Sequence, residues 1–156
     1  MIARVGRDDL DDLLPLMRGY CDFYEVAPSD AALRALSLTL IANPDTSGIQ
    51  LIARHTVDDG SGVGAAVGFA TLYWTFSTLA ASAIGLMNDL YVDPLALGGG
   101  TGRALIEACE AECAQRGLPL LEWETAPGNA TAQALYDKLG AERSEWIAYT
   151  LAVRPR

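Results

Sequence analysis

Residues 90–105 have the sequence LYVDPLALGGGTGRAL. The apolar start continues a run from Ile84 to Val92, which predicts a strand that ends at Asp93-Pro94. After the glycine cluster 98–102, spacing typical of a helix extends from about Gly102 to Arg116. A helix N-terminus carries unpaired N–H groups and the positive end of a dipole, and glycines let an anion approach them. The stretch therefore predicts a strand, an anion-binding turn and a helix.

Two familiar phosphate-binding patterns do not fit this turn. A Walker loop requires Lys and a hydroxyl residue after its last glycine, but Arg103 and Ala104 follow Gly102. A dinucleotide fingerprint starting at Gly98 or Gly100 would place Arg103 or Leu105 at its third glycine. Neither a Walker-type nucleotide site nor a Rossmann site is therefore expected.

The flanking sequence predicts alternating strands and helices. Expected strands are 2–5, 49–54, 63–74, 84–92, 118–124 and 142–153; expected helices are 8–24, 29–42 with Ser29 as N-cap, 102–116, and 129–139 closed by Gly140; 58–62 is an expected turn. An antiparallel meander followed by alternating helices and strands implies an α/β (α+β) fold, with a mixed sheet and helices on both faces.

Composition indicates one compact domain over residues 1–156, with 51% hydrophobic and 20% charged residues. No apolar run reaches the roughly 20 residues of a membrane span, and acidic residues from Asp8 to Asp12 interrupt any signal peptide. A cytoplasmic protein without a membrane partner is expected. The net charge of −9 disfavours nucleic-acid binding. It suits a cationic substrate, or it serves solubility alone.

The cysteines Cys21, Cys109 and Cys113 are predicted to pack in the core. Their odd number argues against a disulfide framework. His55 is the only histidine and lies far from them in sequence, so no metal site is expected.

Two blocks of the sequence resemble the signatures of the GNAT superfamily, the Gcn5-related N-acetyltransferases. The first is the glycine cluster, where Gly98, Gly100 and Gly102 match the pyrophosphate loop, whereas Leu97 replaces the usual Arg or Gln. The second is residues 129–141, NATAQALYDKLGA, in which Asn129 and Tyr136 are two helical turns apart. The resemblance implies a mixed, mostly antiparallel sheet of six to seven strands with about four helices.

The resemblance also implies acetyl-CoA as co-substrate and assigns its contacts. The expected cofactor-binding residues are Leu90, Tyr91, Val92, Leu97, Gly98, Gly99, Gly100, Thr101, Gly102, Arg103, Asn129, Ala132 and Tyr136. In this assignment Asn129 binds the pantetheine arm, and Tyr136 is the general acid that protonates the departing thiolate. Alternatively, Tyr136 is a buried aromatic residue of the core whose hydroxyl is hydrogen-bonded and has no catalytic role.

The acceptor amine needs a proton acceptor, because a lysine-like ammonium has a pKa near 10.4 and costs about 4–5 kcal/mol to deprotonate at pH 7. Related polyamine acetyltransferases carry Glu-Asp where this chain has Asn88-Asp89. The candidate bases are Asp89, Glu122, Glu124 and Glu25, of which Asp89 and Glu122 are the predicted catalytic carboxylates. Tyr24, Glu25, Trp74, Asn88 and Glu124 are the predicted acceptor-binding residues. The alternative for each carboxylate is that it is an ordinary solvated or capping group. The alternative for Tyr24 and Glu25 is that this end of the helix only packs against the sheet.

The resulting hypothesis is an enzyme that acetylates a small, cationic primary amine. A protein lysine or N-terminal amine as acceptor, or a catalytically silent acyl-CoA-binding module, are the alternatives. The resemblance to the superfamily implies a homodimer. The apolar segment from Trp146 to Val153 could form its interface.

Overall fold

The computed structural model describes residues 1–56 and 64–154, so the predicted turn at 58–62 lies outside the described residues. The strands and helices are β1 (Ile2–Arg4), α1 (Leu10–Phe23), α2 (Asp30–Ala42), β2 (Gly48–Arg54), β3 (Ala66–Ser77), β4 (Ser82–Val92), α3 (Thr101–Gln115), β5 (Leu121–Glu122) and α4 (Ala130–Leu139), with 3-10 turns at Arg7–Asp9 and Pro94–Ala96. Their order agrees with the predicted order as far as α4.

The strands form one sheet in the order β1-β2-β3-β4-β5. Adjacent strands are antiparallel except β4 and β5, which are parallel. This confirms the mixed, mostly antiparallel sheet. Within the described residues the sheet has five strands rather than six or seven.

The prediction of a final strand from Glu142 to Val153 is wrong for the described chain. Residues 142–154 form no strand, and their apolar side chains are 76–94% exposed: Trp146, Ile147, Tyr149, Leu151 and Val153. Alternating apolar residues favour a strand, but a strand also requires a neighbour whose backbone accepts its hydrogen bonds. No described strand pairs with this segment.

Helices cover both faces of the sheet, as predicted. On one face, a cluster of buried apolar side chains packs α1 and α2 against the sheet; it includes Leu13, Met17, Leu33, Ile52 and Phe69. We call this the α1 face. On the other, the α3 face, Leu105, Cys109 and Cys113 are buried.

Glycines allow α3 to approach the sheet closely. A Cβ at Gly85 in β4 would lie 2.3 Å from Cys113 Sγ, and a Cβ at Gly68 in β3 would lie 3.3 Å from Leu105. All three cysteines are free and buried, which confirms their predicted packing role. Burial raises the pKa of the Cys109 thiol to about 12, so this thiol stays protonated.

Predicted helix ends are confirmed at α2 and α4. Ser29 Oγ accepts the Ala32 N–H at 3.2 Å and caps α2. Gly140 ends α4 with φ of 78°, in the left-handed region that glycine adopts without strain. Local sequence therefore fixes these ends.

The chain divides into two compact units, Met1–Glu124 and Thr125–Arg156. The first contains the sheet and α1–α3, and the second contains α4 and the C-terminal segment. One domain over the whole chain stays a prediction. Across the described ranges, we find no helix with both the length and the apolar character required to cross a bilayer.

Candidate active site

The N-terminus of α3 differs from those of α2 and α4. Gly100 is its N-cap, with φ of 80° and no side-chain hydrogen bond to the first turn. By contrast, Ser29 caps α2 and Asn129 caps α4 through side-chain oxygens. The first backbone N–H groups of a helix have no partner within it, so those of α3 are available to an external acceptor.

Space is open beside these donors. A Cβ at Gly98 or Gly100 would meet no atom within 4 Å, and one at Gly99 would meet only Ala96 O, at 3.7 Å. Leu97, which replaces the expected Arg or Gln, is 61% exposed. Arg103 forms an ion pair with Glu107 at 2.7 Å. An anion at this loop would therefore be held chiefly by backbone N–H groups.

A small cavity of about 220 Å³ adjoins the glycine loop. Gly99 and Gly100 line it from the loop, and Ile2, Ala53 and Arg54 line it from β1 and β2. The Arg54 guanidinium is paired with Asp9 and Asp12. The cavity thus places a second open surface next to the uncapped helix end.

The pairing of β4 with β5 ends well before β4 reaches the glycine loop. Its pairing with β5 covers only Gly85 with Leu121 and Leu86 with Glu122. From Met87 to Val92, β4 pairs with β3 alone among the described strands. The other edge therefore presents backbone donors and acceptors, which is the arrangement by which an extended ligand can add to a sheet. Leu90, Tyr91 and Val92 lie on this stretch.

A β-bulge turns Asp89 toward the α1 face. Thr71 pairs with Asp89 and Leu72 pairs with Met87, so Asn88 is an extra residue in β4. Residues opposite each other share a face, and Thr71 hydrogen-bonds to Gln50 on the α1 face at 3.2 Å. In a regular strand, Asp89 would share the α3 face with Met87. The bulge therefore brings the carboxylate to the side of α1.

Two polar side chains lie near the Asp89 carboxylate. Asn88 Nδ2 donates to Asp89 Oδ1 at 3.0 Å, and the Tyr20 phenol of α1 donates to the Asn88 carbonyl oxygen at 3.5 Å. Burial, followed by the Asp89 charge, raises the pKa of Tyr20 well above its usual range. The same two causes raise the pKa of Tyr73. Both phenols therefore stay protonated next to the carboxylate.

The end of α1 places two predicted acceptor residues next to the cluster formed by Tyr20, Tyr73, Asn88 and Asp89, which we call the Asp89 cluster. The Tyr24 ring packs against Tyr20 and Phe23, each at 5.0 Å between centroids. Val26 N–H bonds to Cys21 O and Glu25 N–H to Asp22 O, which is a Schellman turn. Glu25 has φ of 55° in this turn, a conformation that favours glycine. The exposed carboxylate of Glu25 thus lies beside the aromatic ring of Tyr24, and the left-handed backbone conformation of Glu25 costs free energy.

The structure does not bring Trp74 to this cluster. Its indole N–H donates to Pro44 O at 2.7 Å, and the Arg116 guanidinium lies 4.1 Å from its ring centroid, on the α3 face. Glu122 in β5 and Glu124 are both exposed. Their predicted roles stay predictions.

In the second unit, Asn129 and Tyr136 lie two turns apart on α4. Asn129 Oδ1 accepts the Ala132 N–H at 3.2 Å and caps the helix, which leaves its Nδ2 group as the donor to a ligand. Tyr136 is half-buried, and its backbone carbonyl accepts the Ala141 N–H at 3.1 Å. The predicted roles of Asn129, Ala132 and Tyr136 in catalysis and cofactor binding stay predictions.

Sequence reasoning missed two features of the cluster. Tyr20 belongs to the aromatic and acidic run 20–25, which was the signal available for it. The bulge at Asn88 had no comparable signal, because a bulge is defined by the register against the partner strand.

Comparison with known proteins identifies relatives of the whole chain. The model of the acetyltransferase (GNAT) family matches residues 14–141. The N-acetyltransferase YhfO of Bacillus subtilis (strain 168), itself described as uncharacterized, is 29% identical over 153 residues, 97% of each chain. The D-amino-acid N-acetyltransferase HPA3 of Saccharomyces cerevisiae (strain ATCC 204508 / S288c) is 35% identical over 86 residues, 55% of this chain and 53% of the yeast protein.

Solved structures share the fold. A probable acetyltransferase superposes with a TM-score of 0.81 at 23% identity, covering 100% of this chain and 99% of the other. AAC(6')-Iy in complex with a bisubstrate analog, CoA-S-monomethyl-acetylneamine, gives a TM-score of 0.80 at 21% identity, covering 99% and 98% of the two chains.

Proposed function

We propose that this chain, which belongs to the acetyltransferase (GNAT) family, transfers the acetyl group of acetyl-CoA to the primary amine of a small, cationic molecule. The observation that carries the proposal is the uncapped, glycine-opened N-terminus of α3, which comes a short loop after the stretch of β4 that pairs with β3 alone among the described strands. A diphosphate and an amide-bearing arm are the two groups that such donors and such an edge can bind.

The residues of the loop and strand fit this co-substrate. Open space at Gly98 and Gly100 leaves room for a diphosphate against the N–H groups of Thr101, Gly102 and Arg103. The free edge from Leu90 to Val92 would pair with the amides of the pantetheine arm. Acetyl-CoA supplies an activated acetyl group and leaves as the thiol.

Two protons must leave the acceptor ammonium during the reaction. We assign Asp89 the first, because its half-buried side chain accepts a hydrogen bond from Asn88, whereas Glu122 is exposed. The freed amine forms the new C–N bond as the C–S bond breaks. Tyr136, on the family resemblance, donates a proton to the departing sulfur and is restored by the second proton. One proton is thus released in total.

Charge and relatives support a small, cationic acceptor. The net charge of −9 attracts cations, and the Tyr20–Tyr24 aromatic pair beside Asp89 and Glu25 suits an ammonium group. The yeast relative is named for D-amino acids and two structural neighbours are named for aminoglycosides, all of them small amines. A homodimer and a cytoplasmic location belong to the same proposal, and sedimentation tests the dimer.

The test is a thiol-release assay with acetyl-CoA against polyamines, amino acids, aminoglycosides and peptides. We expect turnover with at least one small cationic amine. Tyr136→Phe should lower kcat about 10²- to 10⁴-fold while the affinity for acetyl-CoA stays unchanged. Turnover with peptides alone would assign a protein acceptor. Binding of acetyl-CoA without turnover on any amine would indicate a silent acyl-CoA-binding module.

A further inference from the structure

The C-terminal end of α1 exposes three large apolar side chains to solvent. Phe23 is 61% exposed, Val26 is 52% exposed and Tyr24 is 41% exposed. A single exposed apolar side chain is ordinary, but three within four residues concentrate apolar area in one place, as binding sites do. We call these three residues the Phe23 patch.

A row of aromatic rings connects this patch to the bulge of β4. The Phe23 ring packs edge-on against Tyr24, and the Tyr24 ring packs against Tyr20, each at 5.0 Å between centroids. The Tyr20 hydroxyl lies 3.5 Å from the carbonyl oxygen of Asn88, the extra residue of the bulge. The row therefore begins at the bulge that turns Asp89 toward α1, and it ends at the exposed Phe23 ring.

Negative charge accompanies this apolar surface. Asp22 and Glu25 flank the two exposed rings in sequence and are themselves exposed, and Asp89 is half-buried at the inner end of the row. Such a surface suits a ligand with both an ammonium and an apolar group, because carboxylates attract the first and the rings cover the second. A polyhydroxylated amine suits it less, since its hydroxyls would lose water without gaining hydrogen bonds from apolar side chains.

We propose that the acceptor of this enzyme is an amphipathic amine, whose apolar or aromatic group packs on the Phe23 patch while its ammonium lies at Asp89. This inference rests on the proposed function and narrows its small, cationic acceptor to one chemical class. Phe23 is then a residue that determines specificity, because it lies at the outer end of the row and contacts the apolar group rather than the reacting nitrogen.

The first test compares 4-phenylbutylamine with butylamine in the thiol-release assay. The two amines share the ammonium and the linker, and they differ only in the phenyl ring. We expect kcat/KM to be at least about tenfold higher for 4-phenylbutylamine, because a ring that leaves water for an apolar surface gains free energy with the area covered. Spermidine and kanamycin are the polar competitors. An equal or higher kcat/KM for any of the other three amines would overturn this inference and leave the proposed function standing.

Phe23→Ser tests where the phenyl group binds. It should raise the KM for 4-phenylbutylamine about 5- to 10-fold more than the KM for butylamine. Phe76→Ser is the matched control, because it makes the same change at a ring of β3 that is 87% exposed and lies outside the patch. Phe76→Ser should change neither KM. Equal effects of Phe23→Ser on the two amines, or equal effects of the two variants, would overturn the proposal.

Calorimetric titration of 4-phenylbutylamine into the parent chain and Phe23→Ser requires no turnover. Weaker binding by the variant would support the patch even if no amine is acetylated, and that result would count against the proposed function alone. Equal affinities, or no binding by the parent, would overturn the inference. A dimer that dissociates in Phe23→Ser with an unchanged affinity for the amine would assign the patch to a second copy of the chain and overturn it as well.

Discussion

The two faces of strands β3 and β4 differ in chemistry although they share one backbone. The α3 face is closed: Leu72 and Met87 are buried on it, and Cys113 of α3 lies against Gly85. The α1 face carries polar groups, with Thr71, Tyr73 and Asp89 along the same two strands. Well-packed apolar groups stabilise the fold, whereas a carboxylate with phenols beside it can exchange protons. The difference indicates that, of these two strands, only the side facing α1 offers polar groups that could take part in proton transfer.

Asp89→Asn gives the largest expected effect. It should lower kcat about 10²- to 10⁴-fold, the usual contribution of a general base, with little change in the free energy of unfolding. The measurements are thiol release and urea unfolding. Glu122→Gln is the competing variant, and the opposite pattern, with loss only at Glu122, would move the base to β5.

Gly85→Ala tests the closed face. Its Cβ would lie 2.3 Å from Cys113 Sγ, so overpacking should lower the free energy of unfolding by about 1–3 kcal/mol. Adding Cys113→Ala should recover part of that loss, because the two changes share one contact. A Gly85→Ala variant as stable as the parent would contradict the close packing of α3 on β4.

Trp74→Phe separates the two faces at a residue that the sequence predicts to bind the acceptor. It removes the hydrogen bond to Pro44 O but keeps a ring next to Arg116, so we expect a loss of about 1 kcal/mol in unfolding free energy. The acceptor KM should stay the same if Trp74 serves only the closed face. A raised KM would instead support the predicted contact with the acceptor.

Glu25→Gly has the smallest expected effect on stability, and its sign is opposite. Relief of the left-handed conformation should raise the free energy of unfolding by about 0.5–1 kcal/mol. Loss of the carboxylate should raise the KM of a cationic acceptor. Glu25→Gln, which keeps the backbone cost, is the matched control. A Glu25→Gly variant that is less stable would show that the side chain makes a stabilising contact.

The sequence predicted the features that depend on short segments. The Ser29 cap, the Gly140 stop and the strand, glycine and helix order around Gly100 all follow from local rules. Two other features depend on distant partners. The face of Asp89 is set by its register against Thr71, and residues 142–154 form no strand because a strand needs a neighbour. Neither property is contained in the pattern of one segment.

The most direct test of the account is calorimetric titration of acetyl-CoA into the parent chain, Gly99→Asp and Gly99→Asn. A side chain at Gly99 meets only ordinary contacts, and its backbone is outside the left-handed region, so both variants should fold. We predict that the parent and the asparagine variant bind acetyl-CoA and that the aspartate variant binds at least about tenfold more weakly, because its charge opposes the diphosphate. Equal binding by all three, or no binding by the parent, would contradict the assignment of the α3 N-terminus as the diphosphate site.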